Sequence, residues 1–259
     1  MKLITLLYDM MDIVGCVPTM NKIGFTSTPT GVEFTCTSTA TKQSGTFVLY
    51  GKTSKPLDQS IPEFGIYDFY NLIKVLKNPG FDRLNSLAEI LLPTDGQRNS
   101  VVKISTGDEQ SCALTVTTKP EELRKFSAPK LKKKINYSIH FAPTLEGLAT
   151  MKYWYKQDTD KCWDFIGVTP SIRNGKLYLK ASEYNWCIYD YLFAKNIGGS
   201  LSVKNEYDCR VIFALSSLVQ STKKTIVSFS DQGLCRMKIL TGCAEYEFLL
   251  PTVTVHERR

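Results

Sequence analysis

The chain has 259 residues, 43% of them hydrophobic and 22% charged, which excludes a disordered or fibrous protein and fits a globular one. That length holds one large domain or two of about 120–130 residues, either able to close a core. A formal net charge of +7 permits a polyanionic partner without demanding one.

The first candidate element is a helix over 2–14, where Leu3, Leu6, Met10 and Ile13 form an apolar stripe. Asp9 and Asp12 break any signal-like apolar core there, and no run in the chain reaches the roughly 20 apolar residues of a membrane span. The expectation is a soluble protein of the cell interior, cytoplasmic, or inside a host cell if viral. Residues 24–40, "GFTSTPTGVEFTCTSTA", predict two short strands around a Pro-Thr-Gly turn. "IYDFYNLIKVLKN" (66–78) passes from strand to helix within a few residues. Phe69, Leu72, Ile73 and Leu76 make its apolar stripe, while Tyr70, Lys74 and Lys77 lie on another. Residues 79–96 carry "SLAEILLP", a short helix or strand, and 100–118 predict strand, polar turn, strand.

Prolines 120 and 129, six lysines and the lack of a period mark 117–137 as an exposed connector. Beyond it come a candidate helix at 144–157, strands over 167–183, a helix around 212–223 and strands over 224–242. The second half thus repeats the first. Gly31 and Gly175 stand 144 residues apart in matching turns, and a shift of 146 carries Phe69, Leu72 and Ile73 onto Leu215, Leu218 and Val219. The strand before the helix matches as "FGIYD" against "RVIFA", and 100–118 matches 224–242, which leaves 79–96 as an insertion in the first copy. Several correspondences in one order argue for homologous domains: 1–118, a connector at 119–136, and 137–259.

The repeat gives the lysines a shared context. Lys152 and Lys156 share one helical face, and Lys223 and Lys224 are expected to close the last turn of the second copy's helix, as Lys77 does in the first. Cations in a last helical turn also meet the macrodipole favourably, so each has a purely structural explanation. Dispersed lysines on equivalent helices nonetheless suit a phosphate backbone, which they position without reading bases. Catalytic signatures are missing: no GKS/GKT loop and no G-x-S-x-G turn. Eight cysteines without a CxxC pair, and only His140 and His256, give no zinc spacing. No cofactor or metal is expected, and no enzyme, although carboxylates alone leave that class open.

In order of elements the chain resembles the trimeric DNA sliding clamps, the T-even phage clamps and proliferating cell nuclear antigen. "IYDFYNLIKVLKN" is similar to the strand–helix segment of phage clamps, and "YEFLLPTV" (246–253) to the last strand and its proline-containing exit in the nuclear antigen family. The resemblance implies an α+β fold of two similar clamp-type domains in tandem, with helices on one face of antiparallel sheets. Three copies would close head to tail into a ring around double-stranded DNA. It implies a homotrimeric processivity factor that tethers a DNA polymerase, is opened by a clamp loader and touches no membrane. Lys74, Lys77, Lys152, Lys156, Lys223 and Lys224 would face DNA, and Leu131, Ile135, Leu250, Pro251 and Thr252 would line a pocket for partner peptides. The helix at 2–14 departs from this pattern, since Asp9 and Asp12 outnumber its one lysine. Two alternatives remain: a single-stranded DNA-binding protein using aromatics such as those of "YWYK" (153–156), and a duplicated β-rich structural or virion protein without a DNA role.

Overall fold

The computed structural model describes residues 1–17, 20–38, 46–94, 99–107, 110–127, 134–149, 167–182, 188–216, 218 and 224–253. They form two compact units. The first comprises Met1–Thr39, Val48–Pro129 and Thr241–Tyr246; the second comprises Ala40–Phe47, Lys130–Leu240 and Glu247–Arg259. The fold is α+β, and ten pairs of strands among the described residues run antiparallel.

The first unit opens with α1 (Leu3–Val14), whose stripe of Leu3, Leu6, Met10 and Ile13 is buried as its spacing predicts. Strands β1 (Met20–Thr28), β2 (Gly31–Ser38), β3 (Val48–Thr53) and β4 (Phe64–Ile66) follow, in the sheet order β4-β1-β2-β3. Ala244–Tyr246, the opening residues of β15 (Ala244–Pro251), lie beside β3 in this unit. Phe25 stacks on Phe64 at 4.3 Å between centroids, and Phe34 meets Tyr246 at 5.3 Å. Next comes α2 (Phe69–Leu76), then a second sheet of β5 (Ser86–Leu91), β6 (Ser100–Thr106) and β7 (Gln110–Val116) in that order. Helix α1 packs on β5, α2 packs on β1, and the two helices touch, so both lie over the sheets as one layer.

The connector is not bare chain. Pro120 opens a short helix, α3 (Pro120–Leu123), which tightens into a 3-10 turn at Arg124–Phe126. Phe126 is 3% exposed and fills a bay over two glycines. A Cβ on Gly24 would stand 2.6 Å from Phe126 Cβ, and one on Gly65 would stand 2.5 Å from its ring. Thr35 Oγ1 donates to the Phe126 carbonyl at 2.7 Å. Residues 128–133 of the connector lie outside the described residues.

The second unit starts with β8 (Ile139–Phe141) and helical backbone at 145–149; the rest of the predicted 144–157 helix lies outside the described residues. Strands β9 (Gly167–Arg173), β10 (Lys176–Ser182), β11 (Ile188–Lys195) and β12 (Tyr207–Asp208) form a sheet in the order β11-β10-β9-β12. The turn between β9 and β10 is Asn174-Gly175, with φ of 51° and 67°, the positive pair a tight hairpin requires. Then come α4 (Cys209–Ser216), β13 (Lys224–Phe229) and β14 (Leu234–Leu240), with sheet order β15-β14-β13-β8.

The duplication is present, in a different alignment from the one the sequence pattern suggests. "RVIFA" is helix rather than strand, because β12 ends at Asp208 and α4 begins at Cys209. The paired helices therefore start 140 residues apart, at Phe69 and Cys209. Residues 79–96 are no insertion either. They contain β5, and three strands follow the helix in both copies: β5, β6 and β7 in the first, β13, β14 and β15 in the second. Alternating segments such as "SLAEIL", "SVVKIST" and "KTIVSF" share one binary pattern, so pattern alone cannot say which strand matches which.

Candidate nucleic-acid interface

Helix α2 is built to present one polar face. Asp68 caps it, accepting from the Asn71 backbone N–H at 3.1 Å, and Asn21 Oδ1 accepts from the Tyr70 N–H at 3.0 Å. Phe69, Leu72, Ile73 and Leu76 are buried, each contributing roughly 1.5–3 kcal/mol of apolar burial. Tyr70, Lys74 and Lys77 are left exposed. Lys74 Nζ sits 5.0 Å from the centre of the Tyr70 ring, and the Lys77 N–H closes the helix on the Ile73 carbonyl at 3.0 Å. Lys52, Lys119, Lys195 and Lys238 each face a carboxylate, whereas neither α2 lysine has an ion pair among the described residues. Two cations in the field of a helix C-terminus, with no carboxylate on them, can take an external anion.

The acidic residues of α1 are already engaged. Asp9 Oδ2 accepts from Tyr246 Oη at 2.6 Å and Thr241 Oγ1 at 2.8 Å, inside the first unit. Burial raises Asp9 above the usual carboxylate range, against the lowering effect of those two hydroxyls. Asp12 pairs with Arg83, whose guanidinium lies 5.3 Å from the Tyr8 ring. The carboxylates that count against α1 as a polyanion-facing helix are thus directed to internal partners. Arg83 went unnoticed in the sequence because nothing local ties it to a helix 71 residues earlier.

The other predicted cations fare differently. Lys152, Lys156 and Lys223 lie outside the described residues. Lys224 is exposed, but it is the first residue of β13 rather than the close of a helix, since α4 stops at Ser216. In the predicted peptide pocket, Leu131 lies outside the described residues, Ile135, Pro251 and Thr252 are half-buried, and Leu250 is 1% exposed. The structure does bring the connector's end and the C-terminal exit to one place. The Asn136 N–H donates to Gln232 Oε1 at 3.1 Å, and the Thr252 N–H donates to the Gly233 carbonyl at 3.0 Å, so both segments meet the turn between β13 and β14. Leu250, the next-to-last residue of β15, is buried where Pro251 and Thr252 begin the exit.

Asp231 pins the same turn. It accepts from the backbone N–H groups of Ser202 and Val203 and from Ser138 Oγ, and these bonds hold its carboxyl below the usual range. Tyr137 lies 4.0 Å beneath the Arg236 guanidinium, and burial pushes its hydroxyl up to about 12. His140 Nδ1 is 2.9 Å from Ser228 Oγ across β8 and β13, a structural pairing. Among the described residues no cluster of three or more metal-ligating side chains occurs. No described helix is long and apolar enough to cross a membrane.

Two units, each with helices and antiparallel sheets repeated in the same order along one chain, define the sliding-clamp fold. No family model matches the sequence, and no curated protein does. Solved structures do. PCNA from A. fulgidus, solved with the C-terminal region of FEN-1 bound, superposes with a TM-score of 0.64 at 11% identity, over 99% of this chain and 98% of that one. Proliferating cellular nuclear antigen from Entamoeba histolytica gives 0.62 at 12% identity, over 96% and 94%. The PCNA2–PCNA3 complex from Sulfolobus tokodaii gives 0.58 at 13%, also over 96% and 94%. At these identities the likeness is one of fold. The chain has a PCNA-like clamp fold from end to end.

Proposed function

We propose that the chain is a subunit of a DNA sliding clamp, a non-enzymatic ring that encircles duplex DNA and tethers the replicative polymerase. The observation that carries this reading is the pairing of edges. β3 is the third strand after α1, and β15 the third after α4; the opening residues of β15, Ala244–Tyr246, lie beside β3 within the first unit. Their equivalents in the other repeat are β11 and β7, and each of those is the edge strand of its own sheet. β7 of one copy can therefore add to β11 of the next by the pairing the chain already uses once. Such a contact is head to tail and repeats until it closes, here with three copies.

Closure holds DNA topologically, so the contacts within the hole stay weak and sequence-indifferent. Lys74 and Lys77 supply such contacts on α2, with Lys152, Lys156, Lys223 and Lys224 as further candidates. Opening requires a clamp loader. Partner peptides, the polymerase's among them, dock where the chain around Ile135 and that around Pro251 and Thr252 meet the turn between β13 and β14, with Leu131 a further candidate. A DNA-bound role places the protein inside the cell, in keeping with the free thiols of Cys16, Cys36, Cys112 and Cys235.

The test is retention on DNA of two topologies. The protein, loaded by its cognate loader, should stay on nicked circular DNA, slide off after linearisation, and stimulate the polymerase on long templates. Tight, salt-sensitive binding to free single-stranded oligonucleotide would instead favour a single-strand binder. Binding to neither DNA, with open polymers in solution, would favour a structural protein.

A further inference from the structure

One face of the second unit's sheet carries an arginine with no counterion among the described residues. Ser228 of β13 stands opposite Arg236 of β14 on one side and His140 of β8 on the other, so the three form a row across the strands. Their neighbours Val227, Phe229, Cys235 and Met237 are fully buried in the core, which puts the row on the outward face. Tyr137 lies along this row. Its ring centre is 4.0 Å from the Arg236 guanidinium carbon and 6.1 Å from the centre of the His140 ring. Ser228 Oγ is taken by His140 Nδ1 at 2.9 Å. Arg236 Nε is buried and has no hydrogen-bond partner, and the guanidinium makes no ion pair among the described residues.

The carboxylates of this region are already engaged. Glu247 pairs with Lys238 at 3.2 Å, and Lys238 shares the face of Arg236 two residues along β14. Asp231, in the turn before β14, accepts from Ser202, Val203 and Ser138. Tyr137 supplies no negative charge, because burial keeps its hydroxyl protonated up to about 12. Arg83 and Arg173, by contrast, pair with Asp12 and Asp190. Arg236 is half-buried, so its charge carries a desolvation cost that an incoming anion would offset. Alternation extends the same face to Leu234 on β14 and, from Glu247, to Leu249 and Pro251 on β15. The arginine thus borders the place where the connector's end and the C-terminal exit meet the turn between β13 and β14.

We propose that Arg236, held against Tyr137, binds the carboxylate of an aspartate or glutamate in an extended partner peptide. The inference rests on the reading that partner peptides dock at this turn, and it names the chemistry they carry. The planar guanidinium fits two carboxylate oxygens at once, and the ring sets its plane before the peptide arrives. Leu234 and Pro251, half-buried on the same face, take an apolar residue beside the acid. The charge pattern favours a protein segment over nucleic acid. Glu247 cancels Lys238, which leaves a single uncompensated cation on this face, where a phosphate backbone calls for several. Lys134, exposed three residues before Tyr137, draws an acidic segment from a distance, and no Asp or Glu occurs between Glu122 and Glu146 to oppose it.

Short random peptides displayed on phage and selected on the full chain are the probe. Those that a Leu234→Ser variant no longer retains are synthesised with a fluorescent label and titrated by anisotropy. They should share an acidic residue at a fixed distance from an apolar one. Arg236→Gln should weaken such a peptide about tenfold or more, and replacing its acid by the amide should do the same. The two changes together should cost little more than either alone, because both remove one contact. Arg236→Lys, which also serves should the first variant fold poorly, keeps the charge without the fork and should recover only part of the affinity. Acid and amide peptides that bind equally, or that lose equally on Arg236→Gln, would overturn the proposal and leave peptide docking standing. A selection that yields no such peptide would overturn both. An Arg236→Gln variant weakened only toward a labelled DNA oligonucleotide would assign the arginine to nucleic acid and overturn the proposal as well.

Discussion

Asp9 shows how a single carboxylate ties distant parts of one unit together. Its partners Tyr246 and Thr241 stand more than 230 residues away in sequence, and Tyr246 is fully buried. Asp9→Ala would leave the Tyr246 hydroxyl without its acceptor and should cost about 1–3 kcal/mol in a denaturation experiment. Asp9→Asn keeps an acceptor and sheds the charge, so it should cost clearly less. Because burial raises the Asp9 carboxyl, the folded chain takes up that proton at a higher pH than the unfolded chain does. Between the raised value and the ordinary carboxylate range, falling pH therefore favours folding at this site. Wild-type stability should rise relative to Asp9→Asn across that window, and a constant difference would show that Asp9 does not titrate there. On the exposed side, Lys74→Glu with Lys77→Glu should weaken retention on circular DNA without changing the oligomeric state. Replacing each lysine by glutamine should lower the slope of log affinity against log salt by roughly one for every phosphate that the lysine neutralises. Unchanged retention and slope would remove α2 from the DNA path. The lysines and the buried stripe of α2 were legible because both follow a local helical period. Asp9 was legible only as a charge, since no local pattern names an acceptor's partner across the chain.

Among the elements, the connector's anchor carries the clearest energetic claim. Phe126 sits against Gly24 and Gly65 because no side chain larger than hydrogen leaves room there. Its ring also meets Tyr67 at 4.8 Å between centroids. Phe126→Ala should destabilise the first unit by about 3–5 kcal/mol, the usual cost of emptying a buried aromatic site. Limited proteolysis of that variant should find new cleavage near Arg124 and Lys125 while the second unit's fragments stay intact. Cleavage unchanged from wild type would mean that the 3-10 turn holds without its anchor. Composition misled here: prolines and lysines mark an exposed segment, and one phenylalanine among them gives no period to announce a buried turn. The strands carry the same lesson. Alternation revealed that they exist, and Gly175 with Asn174 fixed one hairpin. Which strand of the second copy answers β5 was decided by pairing between segments far apart, and pairing of that kind leaves little local trace.

At the scale of the whole molecule, the edges β7 and β11 decide whether the duplicated chain is a ring component. A ladder of backbone hydrogen bonds is indifferent to salt compared with ion pairs. The protein should therefore elute at three times its 29.2 kDa chain mass, by light scattering, at both low and moderate salt. Successive amides of an edge strand point to opposite sides. Of Ala113→Pro and Leu114→Pro, one removes a bond to β6 and the other the bond that the proposed ring would make to a neighbouring copy. The first should lower thermal stability while keeping the trimer, and the second should yield a monomer with near-native melting. Two variants that both stay trimeric would place the subunit contact elsewhere than β7. A wild-type monomer at every concentration would leave the clamp fold standing and take away the ring, because a fold shared at 11–13% identity does not carry its assembly with it. A trimer lost only in the variant with the outward proline would tie closure to that one strand.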